Sequence, residues 1–233
     1  MRNFFITGTD TDVGKTFIAC ALIAAFAARG WRAAPMKPIA AGTIIVDGVA
    51  VNEDVAALRE VSQTRAALRD TNPYCFAEPI APHLAARHED VAVDIQVIRA
   101  AFDRIKSGAD TVVVEGAGGF LVPLSDNSSM AEIPVALSLE VILVVGMRLG
   151  VLNHALLTVE AIRSRGLTLA GWVANTPIAG TPMLAFGENL ATLKHMIEAP
   201  LLATVPYHGR AAGTVERARQ AAVHINIVAL VNQ

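Results

Sequence analysis

Residues 3–16 read Asn-Phe-Phe-Ile-Thr-Gly-Thr-Asp-Thr-Asp-Val-Gly-Lys-Thr. A short apolar run enters a turn that closes on Gly14-Lys15-Thr16, and an apolar stretch of helical character follows from Phe17 to Arg29. Strand, glycine-bearing loop and helix in that order suit one task, holding a polyphosphate. Loop N–H groups point at the anion, and the helix start adds the positive end of its dipole. Lys15 is placed to reach the β- and γ-phosphates, and the Thr16 hydroxyl to hold Mg²⁺. The spacing is irregular. The general pattern puts its first glycine where Thr9 stands, and here the glycine is one place earlier, at Gly8. The alternative is a glycine-rich strand-to-helix turn with a chance lysine.

Other chemically capable residues follow apolar runs. Lys37-Pro38 ends one, and a lysine at a buried strand end needs an anion or a carboxylate to offset its desolvation; a lysine snorkelling to the surface is the alternative. Glu115-Gly116-Ala117-Gly118-Gly119 ends another. An acid there, beside a phosphate loop, suggests a magnesium ligand, and the glycines let backbone approach a ligand closely. In Asn52-Glu53-Asp54, Asn52 reads as a helix cap, with acids favoured in the first turn. The functional reading makes Asp54 a further carboxylate for Mg²⁺. Gly146-Met147-Arg148-Leu149-Gly150 precedes a helix expected from Asn153-His154, whose free N–H groups offer a cradle for a carboxylate. Asn175-Thr176 ends a fifth run, where an asparagine suits the edge of a purine or simply a turn.

These residues need a scaffold. Strands are expected at Phe4–Thr7, Ala33–Lys37, Thr111–Glu115, Val141–Val145, Leu169–Asn175 and Leu201–Val205. Helices are expected at Lys15–Arg29, Glu53–Ser62, Asp94–Lys106, Asn153–Arg165 and Phe186–Met196. Such alternation implies an α/β fold, a single doubly wound and mostly parallel sheet with helices on both faces. Ligands on such sheets collect at the carboxyl ends of strands, so the polar residues that follow each strand form a shortlist.

The 233 residues suit one α/β domain spanning residues 1–233, and 53% hydrophobic against 17% charged residues supplies a large core rather than disorder. A net charge of −2 without basic clusters argues against nucleic acid as the main partner. The longest apolar run, Phe17–Ala28, is too short to span a bilayer, and no signal-peptide pattern precedes the first strand. A cytoplasmic protein with no membrane partner is the expectation. Cys20 and Cys75 read as buried thiols rather than a bridge or metal pair.

The chain resembles the dethiobiotin synthetase family. The resemblance rests on Gly8-Thr-Asp-Thr-Asp-Val-Gly-Lys-Thr16, Lys37-Pro38 with Gly42, Asn72-Pro-Tyr-Cys-Phe-Ala-Glu-Pro79 with Pro82-His83, Val114-Glu-Gly-Ala-Gly-Gly119, Pro123-Leu124, Gly150 with Asn153-His154, and Gly171-Trp-Val-Ala-Asn175. These segments run in order from residue 3 to about residue 206. The family's loop carries Gly-Thr-Asp-Thr before its Gly-Lys-Thr, which accounts for the early glycine.

The resemblance implies a P-loop enzyme of biotin biosynthesis, an ATP-dependent cyclo-ligase. It closes the ureido ring of dethiobiotin from 7,8-diaminopelargonic acid and CO₂, releasing ADP and phosphate. An amine takes up CO₂ as a carbamate, the carbamate attacks the γ-phosphate to give a carbamic-phosphoric anhydride, and the second amine attacks the carbonyl. By the same resemblance, Lys15, Lys37 and Thr11 serve the reacting groups. ATP falls to Asp12, Val13, Gly14, Lys15, Thr16, Phe17, Asp54, Glu115, Gly116, Ala117 and Gly118, with Asn175, Thr176, Pro206, Tyr207 and His208 around adenine. Thr16, Asp54 and Glu115 hold Mg²⁺. Thr11, Lys37, Ala41 and Gly118 meet the substrate, while Leu149, Gly150, Val151 and Asn153 receive its carboxylate from the second subunit of a homodimer. Family members often carry a hydroxyl residue where this chain has Ala41.

Two rivals share the nucleotide fold. An amidoligase of the cobyrinic acid diamide synthase type needs a glutaminase domain, for which the chain has no room after residue 206. A regulatory ATPase of the MinD or ParA type carries a lysine where this chain has Asp10, and often a basic membrane helix, whereas Glu216–Gln233 is not markedly basic.

Overall fold

The computed structural model describes residues 2–46, 49–177, 183–209 and 213–231. In chain order the elements are β1 (Phe4–Gly8), α1 (Lys15–Ala27), β2 (Ala33–Met36), β3 (Ile39–Ala41), β4 (Ile44–Val46), β5 (Val49–Val51), α2 (Glu53–Val61), α3 (Leu68–Thr71), β6 (Tyr74–Phe76), α4 (Pro82–His88), α5 (Ile95–Lys106) and β7 (Thr111–Glu115). They continue with α6 (Glu132–Leu137), β8 (Glu140–Gly146), α7 (Val151–Arg163), β9 (Leu169–Asn175), α8 (Phe186–Met196), β10 (Leu201–Val205), α9 (Thr214–Ala222) and α10 (Val228–Val231).

Six strands form one parallel sheet in the order β10-β9-β8-β1-β7-β2. All six expected strands are present, and together with the flanking helices they give the expected α/β architecture. Strand side chains alternate between faces. Phe4 and Ile6 join a core with α1 residues such as Ile18 and Leu22, while Phe5 packs in a second core with Val112, Val114 and Phe102. Leu143, Val145 and Trp172 form a third with Val151 and Leu193. Burying each large apolar side chain contributes about 1.5–3 kcal/mol.

Helix α1 is apolar almost all round because it is covered almost all round, lying against the sheet with α2 and α9 beside it. Its start is thereby fixed. Helix α7 begins at Val151 rather than at the expected Asn153, because Gly150, at φ +92°, turns the chain directly into the helix. The cysteines differ from the expectation. Both are free, but Cys75 is exposed, on the short β6 strand outside the main sheet, and only Cys20 is buried.

Candidate functional site

The carboxyl ends of β1, β2, β7 and β9 meet at one cleft of about 1190 Å³. Register places its central pair. Met36 lies opposite Val114 across the β2–β7 ladder, so the next residue of each strand is Lys37 and Glu115. Lys37 Nζ donates to Glu115 Oε1 at 2.9 Å and to Asp54 Oδ2 at 2.6 Å. Lys37 is 4% exposed and Glu115 1% exposed. The lysine expected to need a carboxylate has two.

Neighbouring residues lock this arrangement. The Lys37 N–H donates to Thr71 O at 2.8 Å, and Asn72 Nδ2 donates to Lys37 O at 2.7 Å. Asn52 caps α2, its Oδ1 accepting from Asp54 N at 3.1 Å and Val55 N at 3.3 Å. Its Nδ2 donates to Gly42 O at 2.7 Å, pinning the turn after Ala41. Asp54 is therefore both a first-turn acid and a site carboxylate.

The phosphate loop joins the cluster through Thr16, whose Oγ1 donates to Glu115 Oε1 at 2.7 Å. Lys15 Nζ donates to Asp10 O at 2.9 Å. Gly14 stands at φ +91°, and a Cβ there would lie 2.3 Å from Asn175 Nδ2. Asn175, 3% exposed, donates from that Nδ2 to Val13 O at 2.7 Å. The asparagine thus ties the loop to the end of β9 as well as lining the cleft.

Burial and charge set the protonation of the cluster. Burial pushes the Lys15 ammonium below the usual lysine value; Glu115 opposes the shift and the Lys37 charge adds to it. Burial also acts against the Lys37 charge, but Glu115 and Asp54 outweigh it and hold that group above the usual value. Burial raises the Glu115 carboxyl despite Lys37. At Asp54 burial is overcome by Lys37, and the carboxyl lies below its usual value.

A divalent cation fits this donor set. Glu115 Oε2 is buried and has no hydrogen-bond partner among the described residues. Asp54 and the Thr16 hydroxyl adjoin it through Lys37 and Glu115 Oε1. Among the described residues no group of three or more His, Cys, Asp or Glu could hold a metal alone. Two carboxylates and a hydroxyl suit Mg²⁺, which takes one or two carboxylates and completes its shell with substrate phosphates and water.

The cleft gathers most of the expected residues: Thr11, Asp12, Gly14, Lys15, Thr16 and Phe17 from the loop and α1, Lys37, Ala41, Asp54, Glu115, Ala117 and Gly118 around the acids, and Asn175, Thr176, Pro206, Tyr207 and His208 at the far end. Gly118, at φ +66°, lies beside the loop, where an added Cβ would be 3.7 Å from Thr11 Oγ1. Val13 and Gly116 are buried behind the wall; a Cβ on Gly116 would meet the Phe5 ring at 2.7 Å. Leu149, Gly150, Val151 and Asn153 do not line this cleft. Leu149 is 94% exposed, and Gly150 and Asn153 are exposed beside it at the start of α7.

A matched family model, an AAA domain, covers residues 2–213. The ATP-dependent dethiobiotin synthetase BioD of Aromatoleum aromaticum is 52% identical over 206 residues, 88% of this chain and 91% of that protein. The BioD of Ralstonia nicotianae is 45% identical over 226 residues, 97% and 96% of the two chains.

The chain belongs to the ATP-dependent dethiobiotin synthetase family.

The fold is shared more widely. The septum site-determining protein MinD from Pyrococcus horikoshii, complexed with Mg-ADP, aligns with TM-score 0.53 at 15% identity, covering 95% of this chain and 93% of that one. MinC:MinD of Aquifex aeolicus gives TM-score 0.50 at 16% identity, covering 98% and 88%. Those likenesses concern the fold alone.

Two residues that shape this synthetase-family cleft carry no mark in the sequence. Arg148 lines it and pairs with the Asp10 carboxylate. Arg217, from α9, also lines it, with its guanidinium 5.7 Å from the Phe17 ring centroid and Nη1 donating to Gly209 O at 2.6 Å. Neither carries a local signal, since each acts on residues distant in sequence.

Proposed function

We propose that residues 1–233 form one ATP-binding synthetase domain that carboxylates 7,8-diaminopelargonic acid and closes its ureido ring to dethiobiotin, with ADP and phosphate released. The observation that carries this reading is the Lys37 ammonium held between Asp54 and Glu115 at the edge of a phosphate loop. Two lysines and two carboxylates there suit a reaction in which negative charge moves from carbamate to phosphate.

One amine of the diamine adds to CO₂ and loses a proton, giving a carbamate. Thr11 and the backbone at Gly118 hold it beside the γ-phosphate. A carbamate oxygen then bonds to the γ-phosphorus while the bond to the ADP oxygen breaks, forming the carbamic-phosphoric anhydride. The second amine attacks the carbonyl carbon and gives up a proton as the carbon–oxygen bond breaks, and phosphate leaves with that oxygen. No side-chain nucleophile takes part. The chain orients the reactants and offsets charge, Lys15 and Lys37 flanking the transferred group. Thr16, Asp54 and Glu115 would hold Mg²⁺, which when bound neutralises phosphate charge. Asn175 and Thr176, with the backbone of Pro206, Tyr207 and His208, take the adenine end.

The cleft volume supports two occupants. Pockets for one drug-sized ligand run to roughly 300–1,000 Å³, and this cleft, at about 1190 Å³, lies above that range, in keeping with a nucleotide and a second substrate. Leu149, Gly150 and Asn153 are exposed and lie outside their own cleft, which supports a homodimer in which this turn receives the substrate carboxylate of the partner's site. A cytoplasmic setting, with neither membrane nor nucleic acid as partner, is part of this proposal; the net charge of −2 without basic clusters argues against nucleic acid.

Phosphate release from ATP tests the reading. It is expected only when both the diamine and bicarbonate are present. Equal release without the diamine would favour a regulatory ATPase.

A further inference from the structure

Asp10 makes three separate contacts from one position in the phosphate loop. Its backbone carbonyl accepts from Lys15 Nζ at 2.9 Å, its Oδ1 accepts from the Thr11 N–H at 2.7 Å, and its Oδ2 accepts from Arg148 Nη2. Arg148 sits 138 positions away, after β8, directly before Leu149-Gly150 and the start of α7. Its side chain is 38% exposed and lines the cleft, and that of Asp10 is 45% exposed.

We propose that Arg148 is a positioning residue that acts through Asp10. The ion pair fixes the Asp10 carboxylate, and the carboxylate and carbonyl of that residue in turn fix the Thr11 backbone and the Lys15 ammonium. The chemistry favours this over direct recognition. The substrate arrives as a diamine, and an unpaired guanidinium in its path would repel its ammonium form. Pairing with Asp10 cancels that field and leaves an oriented, charge-assisted bond. A half-exposed pair contributes little to overall stability, so its value lies in geometry. Both Thr11 and Lys15 serve the transferred group, and a small misplacement of either is costly to turnover. The same contact ties the segment that would serve the partner's cleft to the loop of its own.

This inference rests on the synthetase reading, and its test separates the two. Wild-type dethiobiotin formation is measured first and bears on the reading alone. Arg148→Ala and Asp10→Asn are each expected to lower kcat at least tenfold, with KM for ATP and for the diamine changed less than threefold. Asp10→Asn keeps an oxygen for the Thr11 N–H and removes only the charge. The double variant is expected to be no slower than the worse single one, since both changes break one unit. Arg148→Lys should recover part of the rate, because a single ammonium can still meet Asp10. Backbone hydrogen exchange over residues 9–14 should quicken in Arg148→Ala, a readout that holds whatever the reaction proves to be. Multiplicative losses in the double variant, a rise in diamine KM at unchanged kcat, or loop exchange equal to wild type each overturns the proposal. Should Arg148→Ala not fold, Arg148→Lys and Asp10→Asn give the same comparison.

Discussion

Lys37 Nζ stands 2.9 Å from Glu115 Oε1, and neither side chain is more than 5% exposed. Adjacent strands bring them together, because each residue directly follows the last paired rung of the β2–β7 ladder. A buried pair of this kind is expensive to break from one side, since the remaining charge is left without compensation.

Lys37→Ala is therefore expected to act twice. Folding stability falls by about 3–5 kcal/mol as Glu115 loses its counter-charge. Turnover falls by about 10²–10³-fold, the size of effect seen when one preorganised charge-stabilising group is removed. ATP still binds, through the loop. Denaturant melts, turnover and nucleotide titration on one preparation check all three. An undiminished rate removes Lys37 from the mechanism.

Glu115→Gln keeps the shape of the side chain and removes its charge. Lys37 keeps Asp54 as a counter-charge, and Oε2, unpartnered among the described residues, makes the metal site the place to read the loss. The Mg²⁺ concentration needed for half-maximal nucleotide binding should rise by about 10–100-fold, as is common when a metal site loses a supporting group. An unchanged magnesium titration leaves Glu115 as a structural acid.

The Asp54 carboxyl lies below its usual value of 3.8, burial being outweighed by Lys37. A depressed carboxyl stabilises the fold at pH above its unfolded value and loses that contribution as pH falls through the folded one. Asp54→Asn should thus flatten the dependence of stability on pH below 3.8. The Lys37 group, raised above 10.5, has the opposite sense, its contribution being lost only as pH climbs beyond that value. Urea melts across the acid range decide the first point. A wild-type slope retained in Asp54→Asn contradicts it.

The proposed homodimer makes a sharp demand on mixed subunits. Lys37→Ala disables a cleft, and Asn153→Asp sets a negative charge where the proposal places the partner's substrate carboxylate. Each homodimer is inactive. A mixed dimer puts both lesions in one site and leaves the other intact, so random exchange of equal amounts should restore about a quarter of wild-type activity, given closed two-fold assembly. No recovery after exchange places both residues in the same subunit's site.

The central sheet was legible in the sequence because a strand buried on both faces reads as an unbroken apolar run, as Val141–Val145 does. The site was legible because its residues follow those runs directly, as Lys37, Glu115 and Asn175 do. Short elements such as β4 and β5 lack the length to show a period. Residues whose roles depend on distant contacts stayed hidden. Nothing local at Arg148 points to Asp10, and nothing at Asn72 points to the Lys37 carbonyl. Helix α7 starts two residues before the expected Asn153, because a glycine at positive φ serves as the turn into the helix. The resemblance to a known family, not the spacing, named the substrate.

The order in which bonds form and break is open to one isotopic measurement. Bicarbonate labelled with heavy oxygen is supplied in unlabelled water with ATP, Mg²⁺ and 7,8-diaminopelargonic acid, and the released phosphate is weighed by mass spectrometry. The carbamate oxygen that bonds to the γ-phosphorus departs with it, so each dethiobiotin should be matched by one phosphate carrying a single heavy oxygen. Dethiobiotin formed with wholly unlabelled phosphate, or phosphate released at the same rate without the diamine, contradicts the carbamic-phosphoric anhydride and the roles given to Lys15 and Lys37.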